Sequence, residues 1–261
     1  MRQRRRMSNV KAYIISFRDD SKRRDVLLKR FNATGLEIVF VDAVSGKHLT
    51  PEERAPFDFN NRQFRAAHVL QDNAIGCALS HYKAWTKLIE SDEKYAYVFE
   101  DDVQFLTDKS SSVFSELDAL SANLDIVCLA NRRQSLKRFK VADCGQNSDL
   151  VVLKGNDFGA EGYFISKHAA QTLLAHPDRH EYEVDFLIHH WWRHNCSVLH
   201  IMPPVCSEDG RTSSIGYQNV PVWDDDKIKH RVARRFNRLK DSLNKRLLFR
   251  RRINSVKTRF S

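Results

Sequence analysis

The sequence predicts an α/β fold, with amphipathic helices layered on a mixed central sheet. Three observations support it: a strand–helix–strand opening over residues 10–42, a long helix at 75–89 that runs into a second apolar strand, and alternating strand-like and helix-like stretches from there to residue 202.

Residues 10–17 are a dense β-branched and aromatic run and read as the first strand. Ser21 offers an N-cap for a charged helix, with Val26, Leu27 and Phe31 as its stripe up to Gly35. Residues 36–41 read as a second buried strand, closed by Asp42. The opening contains neither a G-x-G-x-x-G nor a G-x-x-x-x-G-K-[ST] loop, so no dinucleotide or P-loop site is indicated. Residues 44–73 are polar, broken by Pro51 and Pro56, and read as a long excursion with short helices. Ile75, Ala78, Leu79, Tyr82, Trp85, Leu88 and Ile89 then recur at helical spacing. Residues 95–99 form a short buried strand that leads directly into Glu100-Asp101-Asp102. Beyond it, 113–120 read as helix and 125–130 as strand, and a β-hairpin region follows Leu136, with a strand at 150–153. A strand-to-helix unit starts at Phe164 and stops at Pro177. Residues 184–192 read as a short aromatic helix and 197–202 as the last strand.

The net charge of +10 is unevenly placed. From Lys227 onward there are 14 Lys/Arg against one acid, Asp241, a net +13, so the other residues carry +10 less +13, or −3. A nucleic-acid-binding domain carries its charge on the fold itself, which argues against nucleic acid as a partner. In this tail Ile228, Val232, Phe236, Leu239, Leu243 and Leu247 recur every three or four residues among cations, the pattern of a basic amphipathic helix. Three readings stand: a helix packed on its own domain, a peripheral anchor on an anionic membrane face, or a nucleic-acid-binding segment, for which aromatic interleaving is sparse. We expect one domain over residues 8–222 and a basic helical tail over 223–261. No apolar run reaches the roughly 18–20 residues of a membrane span, and the charged Met1–Met7 start lacks the apolar segment of a signal peptide. Five cysteines without a C-x-x-C pair suggest neither a zinc cage nor a disulfide framework, and fit buried thiols in a cytoplasmic protein.

Three consecutive carboxylates at the end of an apolar strand repel one another and raise each other's pKa. A divalent cation relieves that repulsion, and Mg²⁺ or Mn²⁺ suits carboxylate oxygens. At strand spacing Glu100 and Asp102 point one way, toward a metal–diphosphate, and Asp101 the other, toward a ribose hydroxyl. An acidic turn or helix cap is the simpler alternative.

Several blocks then resemble a known family. Tyr13-Ile14-Ile15-Ser16 with Arg23-Arg24, Ala74-Ile75-Gly76-Cys77-Ala78-Leu79-Ser80-His81, and Val98-Phe99-Glu100-Asp101-Asp102-Val103 are similar to successive motifs of glycosyltransferase family 25, the lipooligosaccharide galactosyltransferases of Gram-negative bacteria. Residues 159–166 resemble its glycine–tyrosine–serine segment, Asp185 follows at a fitting distance, and Ser213-Ser214-Ile215 resembles its closing motif. The resemblance implies a GT-A-type, Rossmann-like fold, a uridine diphosphate galactose or glucose donor, Mn²⁺, and inversion at the sugar carbon. It implies nucleotide contacts for Ser16 and Arg24, and places Ser80 and His81 beside the donor pocket. Asp42 touches the nucleoside or caps a turn; Arg24 meets the diphosphate or is a surface charge; His81 lines the pocket or is a core histidine. Asp185 is the first choice for the base that inversion requires, with Asp157 and Glu161 as the other carboxylates in reach. A helix-start acid is the alternative for Asp185. Trp191 and Trp192 stack on an acceptor sugar or belong to the core. A further metal ligand is expected from His200, Glu208 or Asp209. His189, His190 and His194 lack an H-E-x-x-H arrangement and are not read as a zinc site.

The expected reaction is hexose transfer onto a lipooligosaccharide acceptor on the inner face of the bacterial inner membrane, which the basic tail would bind. Two other classes use the same features: a metal-dependent nucleotidyl- or phosphotransferase, and a non-catalytic membrane or nucleic-acid adaptor in which the tail is the active part.

Overall fold

The computed structural model describes residues 10–58, 70–106, 110–133, 135–145, 147–210 and 227–260. The Met1–Met7 start, the Ser213-Ser214-Ile215 motif and the expected boundary at 222 lie outside the described residues. Among the described residues, the main sheet has eight strands in the order β2 (Glu37–Asp42), β1 (Lys11–Ser16), β3 (Tyr95–Glu100), β8 (Gly162–Ser166), β5 (Ile126–Cys128), β9 (Val198–Met202), β7 (Asp149–Leu153) and β6 (Arg138–Asp143). It is mixed, as expected: β1 runs parallel to β2 and β3, β8 is antiparallel to both β3 and β5, and β6–β7 is the hairpin. A second ladder pairs β4 (Val103–Phe105) with β10 (Cys206–Glu208).

The central strands are apolar throughout because both faces are covered. Tyr13 and Ile15 of β1, with Ala96 and Val98 of β3, pack against α3 (Asp72–Glu90) and α5 (Lys167–Leu174). Ala12 and Ile14, with Tyr97 and Phe99, face the other way, onto Leu27 and Phe31 of α1 (Ser21–Phe31) and Val113, Phe114 and Leu117 of α4 (Ser110–Leu120). The period of two along each strand thus feeds two cores, one per face. Among its described residues, the polar excursion forms three short helical turns, at Gly46–His48, α2 (Pro51–Arg54) and Ala55–Phe57.

Four local expectations are corrected. Asp20, not Ser21, caps α1: its carboxylate accepts the Arg23 N–H at 3.0 Å, and the helix dipole favours that negative charge. The first strand ends at Ser16 and leaves Phe17 exposed. β3 ends at Glu100, so Asp101 and Asp102 occupy a turn into β4 rather than continuing the strand. The aromatic helix, α6 (Val184–His189), stops before the tryptophans, since His190 leaves helical geometry.

The C-terminal α7 (Lys227–Thr258) is helical, and its second half packs on the domain. Val256 is buried in the α1–α4 core, and the Phe249 ring meets Phe139 of edge strand β6 with centroids 5.4 Å apart. Asp241 accepts from Trp192 Nε1 at 3.0 Å and from Arg193 Nη2 at 2.7 Å, and Arg252 lies over Trp191 at 4.2 Å. The tryptophans are therefore covered by the chain's own helix. No described helix is long and apolar enough to cross a membrane.

One close approach fixes the excursion against α3. A Cβ on Gly76 would stand 2.6 Å from the Val44 carbonyl oxygen and 2.8 Å from the Gly46 nitrogen, both backbone atoms that cannot swing away. Gly76→Ala should therefore lower stability by about 1–3 kcal/mol, read as a reduced thermal midpoint. An unchanged midpoint would show that the loop yields freely.

Candidate active site

Three parallel strands end at one edge of the sheet, and their register determines what stands there. Ser16 lies opposite Asp42 across β1 and β2, and Ile15 opposite Glu100 across β1 and β3. β8 begins at the same edge: Phe99 faces Gly162, and the Glu100 N–H donates to the Glu161 carbonyl at 3.0 Å. Ligands of open α/β sheets bind in the crevice beyond such carboxyl ends. The β4–β10 ladder adds residues from far along the chain. Glu208 pairs with Val103, and the Asp209 N–H donates to the Asp102 carbonyl at 2.8 Å. Of the three candidates for a further metal ligand, Glu208 and Asp209 thus reach the triplet. His200 is buried in β9 instead, its ring stacked on His189 at 5.5 Å.

The triplet divides its carboxylates. Asp101 turns to Arg23, with Oδ1 3.0 Å from Nη2, and its carbonyl accepts Arg23 Nε at 3.2 Å. Burial raises its pKa, and the Arg23 charge opposes that rise. Asp102 is less compensated: the Arg23 charge also acts on it, but its Oδ1 is buried without a hydrogen-bond partner. Burial, followed by the charges of Glu100 and Asp101, pushes its pKa up to about 7. At the β2 end, Arg24 Nη2 donates to Asp42 Oδ1 at 2.6 Å and to the Ser16 carbonyl at 2.9 Å, which holds the Asp42 carboxyl below its ordinary range. Arg24 is a strut between β1 and β2.

Glu100 is held from behind by a buried relay. Trp85 Nε1, which can only donate, lies 2.8 Å from Tyr163 Oη, and that oxygen lies 2.8 Å from His81 Nδ1. His81 Nε2 is 3.2 Å from Glu100 Oε1. If Tyr163 Oη donates to Nδ1, the ring proton sits on Nε2 and points at the carboxylate; the opposite tautomer would set a lone pair against it. The hydrogen-bond pattern therefore assigns one direction, Trp85 to Tyr163 to His81 to Glu100. Ser80 works one position earlier: its hydroxyl donates to the Gly76 carbonyl at 2.7 Å and accepts the Val44 N–H at 2.8 Å, stitching the excursion to α3.

Cys77 marks the centre of the acidic space. Its thiol is 4.0 Å from Glu100 Oε1, and its pKa is raised by burial and then by the charges of Glu100, Asp185, Asp102 and Glu161. Asp185 thus shares a field with the triplet. Its Oδ2 accepts the Gly159 N–H at 3.2 Å and its Oδ1 the Phe186 N–H at 2.8 Å, while burial raises its pKa. Glu161 is buried, lifted to about 7, and pairs with Arg132, whose Nη2 also reaches Glu208 Oε2 at 3.1 Å. Asp157 turns away: Oδ1 accepts the Arg133 N–H at 2.9 Å.

Sequence reasoning missed Arg23, Arg132 and Tyr163 as partners of the site. Arg132 could have been found, because Asn131-Arg132-Arg133 follows within a few residues of the end of β5, at the ligand edge. Arg23 stands beside Arg24, and nothing local distinguishes the one that meets Asp101.

The description "Glycosyltransferase family 25 (LPS biosynthesis protein)" matches residues 9–188. The chain belongs to glycosyltransferase family 25. It is 27% identical over 205 residues to a Haemophilus influenzae protein named as a glycosyltransferase, covering 76% of this chain and 70% of that one. It is 26% identical over 215 residues to the lipooligosaccharide biosynthesis protein lic2B of Haemophilus influenzae, covering 76% of each. Human procollagen galactosyltransferase 2 is 25% identical over 169 residues, which span 62% of this chain and only 27% of that protein. As a family 25 member the chain is a glycosyltransferase, and the matched stretch contains every site residue from Ser16 to Asp185.

The strain on Asp102 has a measurable sign. Its pKa is raised in the folded state above the ordinary carboxyl value of about 4, so its contribution favours folding at low pH and is lost as pH rises through 7. In chelator, Asp102→Asn should raise stability by about 1 kcal/mol at pH 8, a gain that shrinks toward zero near pH 4. Thermal melts across pH check it, and a gain independent of pH would contradict the charge account.

Proposed function

We propose that this glycosyltransferase moves galactose, or alternatively glucose, from a uridine diphosphate hexose to a hydroxyl of a lipooligosaccharide acceptor, with inversion, on a GT-A-type fold that uses Mn²⁺ or Mg²⁺. The observation that carries the reading is the buried, unpartnered Asp102 Oδ1 among carboxylates at the edge where three parallel strands end. Carboxylate oxygens with uncompensated negative charge fit a hard divalent cation, which would be held by Glu100 and Asp102, with Glu208 or Asp209 in reach and the Cys77 thiol and His81 imidazole beside Glu100. When bound, such an ion neutralises the charge of a departing nucleoside diphosphate.

The chain's own groups do the rest. His81 orients Glu100, and Arg23 holds Asp101 in the turn. Asp42, ionised and half exposed beside Ser16, can accept a hydrogen bond from a nucleoside hydroxyl, and Arg24 keeps both strand ends together. Asp185 is the proposed base. Each of its oxygens accepts one backbone N–H and keeps a lone pair, so the carboxylate is oriented while free to take the acceptor proton, and burial makes it a stronger base. The name of the Haemophilus lipooligosaccharide protein supports the acceptor class, and that of procollagen galactosyltransferase 2 supports galactose. Such an acceptor is lipid-borne, which suits an enzyme on the inner face of the inner membrane.

A donor panel tests this directly, measuring uridine diphosphate release and sugar incorporation with Mn²⁺ and with chelator. Release should require the metal and a uridine diphosphate hexose, and Asp102→Asn should lower kcat/KM at least about a hundredfold. Incorporation of nucleotide or phosphate, or full activity in chelator, would refute the proposal.

A further inference from the structure

Helix α7 presents two faces of different chemistry. One is docked: Asp241, Lys245, Phe249, Arg252 and Val256 recur every three or four residues and meet Trp191, Trp192, Arg193 and β6. At 3.6 residues per turn, the opposite face, about half a turn away, carries Phe236, Leu239, Leu243 and Leu247. These four are 67%, 58%, 49% and 71% exposed, and at steps of three, four and four they form one continuous apolar stripe.

The flanks of the stripe indicate what covers it. Arg235 and Arg246 border it on one side, Lys240 and Arg251 on the other, and all four are exposed. The helix's single acid, Asp241, is turned inward onto Arg193 and Trp192, so no carboxylate stands on the outer face. A second copy of the same face would bring like charges together, which disfavours self-association. An apolar strip between two cationic rims is complementary to one surface above all: acyl chains below a layer of anionic headgroups.

We infer that the outer face of α7 lies in the surface of an anionic phospholipid bilayer while its inner face remains fixed to the catalytic domain. The helix is then a rigid mount, holding the domain in one orientation on the membrane. This goes beyond the transfer reaction and stands whether or not the proposed donor and acceptor are right.

Truncating α7 would strip the cover from Trp191 and Trp192, so the test uses the full chain and point variants on the outer face. The readout is sedimentation with vesicles of phosphatidylcholine alone or mixed with phosphatidylglycerol. The wild-type chain should co-sediment with the mixed vesicles, much less with the neutral ones, and be released by high salt. Leu243→Glu should weaken the partition about tenfold or more without moving the thermal midpoint, and Leu247→Trp should strengthen it. Equal sedimentation with both vesicle types, or unaltered binding by Leu243→Glu, would overturn the inference. So would a stable dimer in solution that Leu243→Glu dissociates, since a second copy would then be what covers the stripe.

Discussion

Negative charge gathered at the carboxyl edge of the sheet is the constraint around which the site is arranged. The charges of Glu100, Asp102, Glu161 and Asp185 all act on the Cys77 thiol, with Asp101 next to Asp102, and in a low dielectric such a group is costly unless each member is compensated. Most are. Asp101 has Arg23, Glu161 has Arg132, Glu100 has the imidazole of His81, and Asp185 has two backbone N–H groups. Asp102 alone of the triplet keeps a buried oxygen with no partner. The compensation is therefore selective: what surrounds Asp102 is fixed in place, and Asp102 is left as the group with electrostatic capacity to spare.

That arrangement depends on structure well behind the edge. The Trp85–Tyr163–His81 relay links the middle of α3, the start of β8 and the end of β3, and each proton in it has one acceptor. A carboxylate that must receive a cation gains from being held before the cation arrives, since the ordering cost is met on folding. Ser80 and the Gly46–Gly76 contact do the same for the excursion, bringing α3 close enough for His81 to reach Glu100. The sequence block 74–81 is thus dominated by packing needs, and within it Cys77 and His81 meet the Glu100 carboxylate directly.

Much of the fold was legible because its signals are dense and local. β1 and β3 are apolar along their length, α3 keeps a helical period for four turns, and the triplet follows a strand without a break in the sequence. What could not be read is what depends on distance along the chain. Arg23 and Asp101 are 78 residues apart and Arg132 and Glu208 are 76 apart, so no window contains either pair. β4 and β10 are three residues each, too short for a period, yet they bring Glu208 and Asp209 to the triplet and leave His200 in the core. The Asp20 cap was missed for a different reason: two adjacent residues could each cap, and the choice rested on which one's carboxylate or hydroxyl met the Arg23 N–H.

The C-terminal helix shows how one period can conceal two surfaces. The sequence stripe from Phe236 to Leu247 reads equally well as a face packed on the domain or as a face turned to a membrane, because hydropathy records that a side chain avoids water without recording what it avoids water with. The structure separates these uses. The residues that dock the helix are a mixed set, Asp241, Lys245, Phe249, Arg252 and Val256, of which Asp241, Lys245 and Arg252 dock through an ion pair or a cation over a tryptophan ring, which a hydrophobic scan discounts. The purely apolar set stays outside. A helix that used its apolar face for docking would leave a cationic surface able to hover over a membrane but not to enter it. By docking through charge and aromatic contacts, α7 leaves the apolar stripe free, and attraction between charges can be followed by insertion.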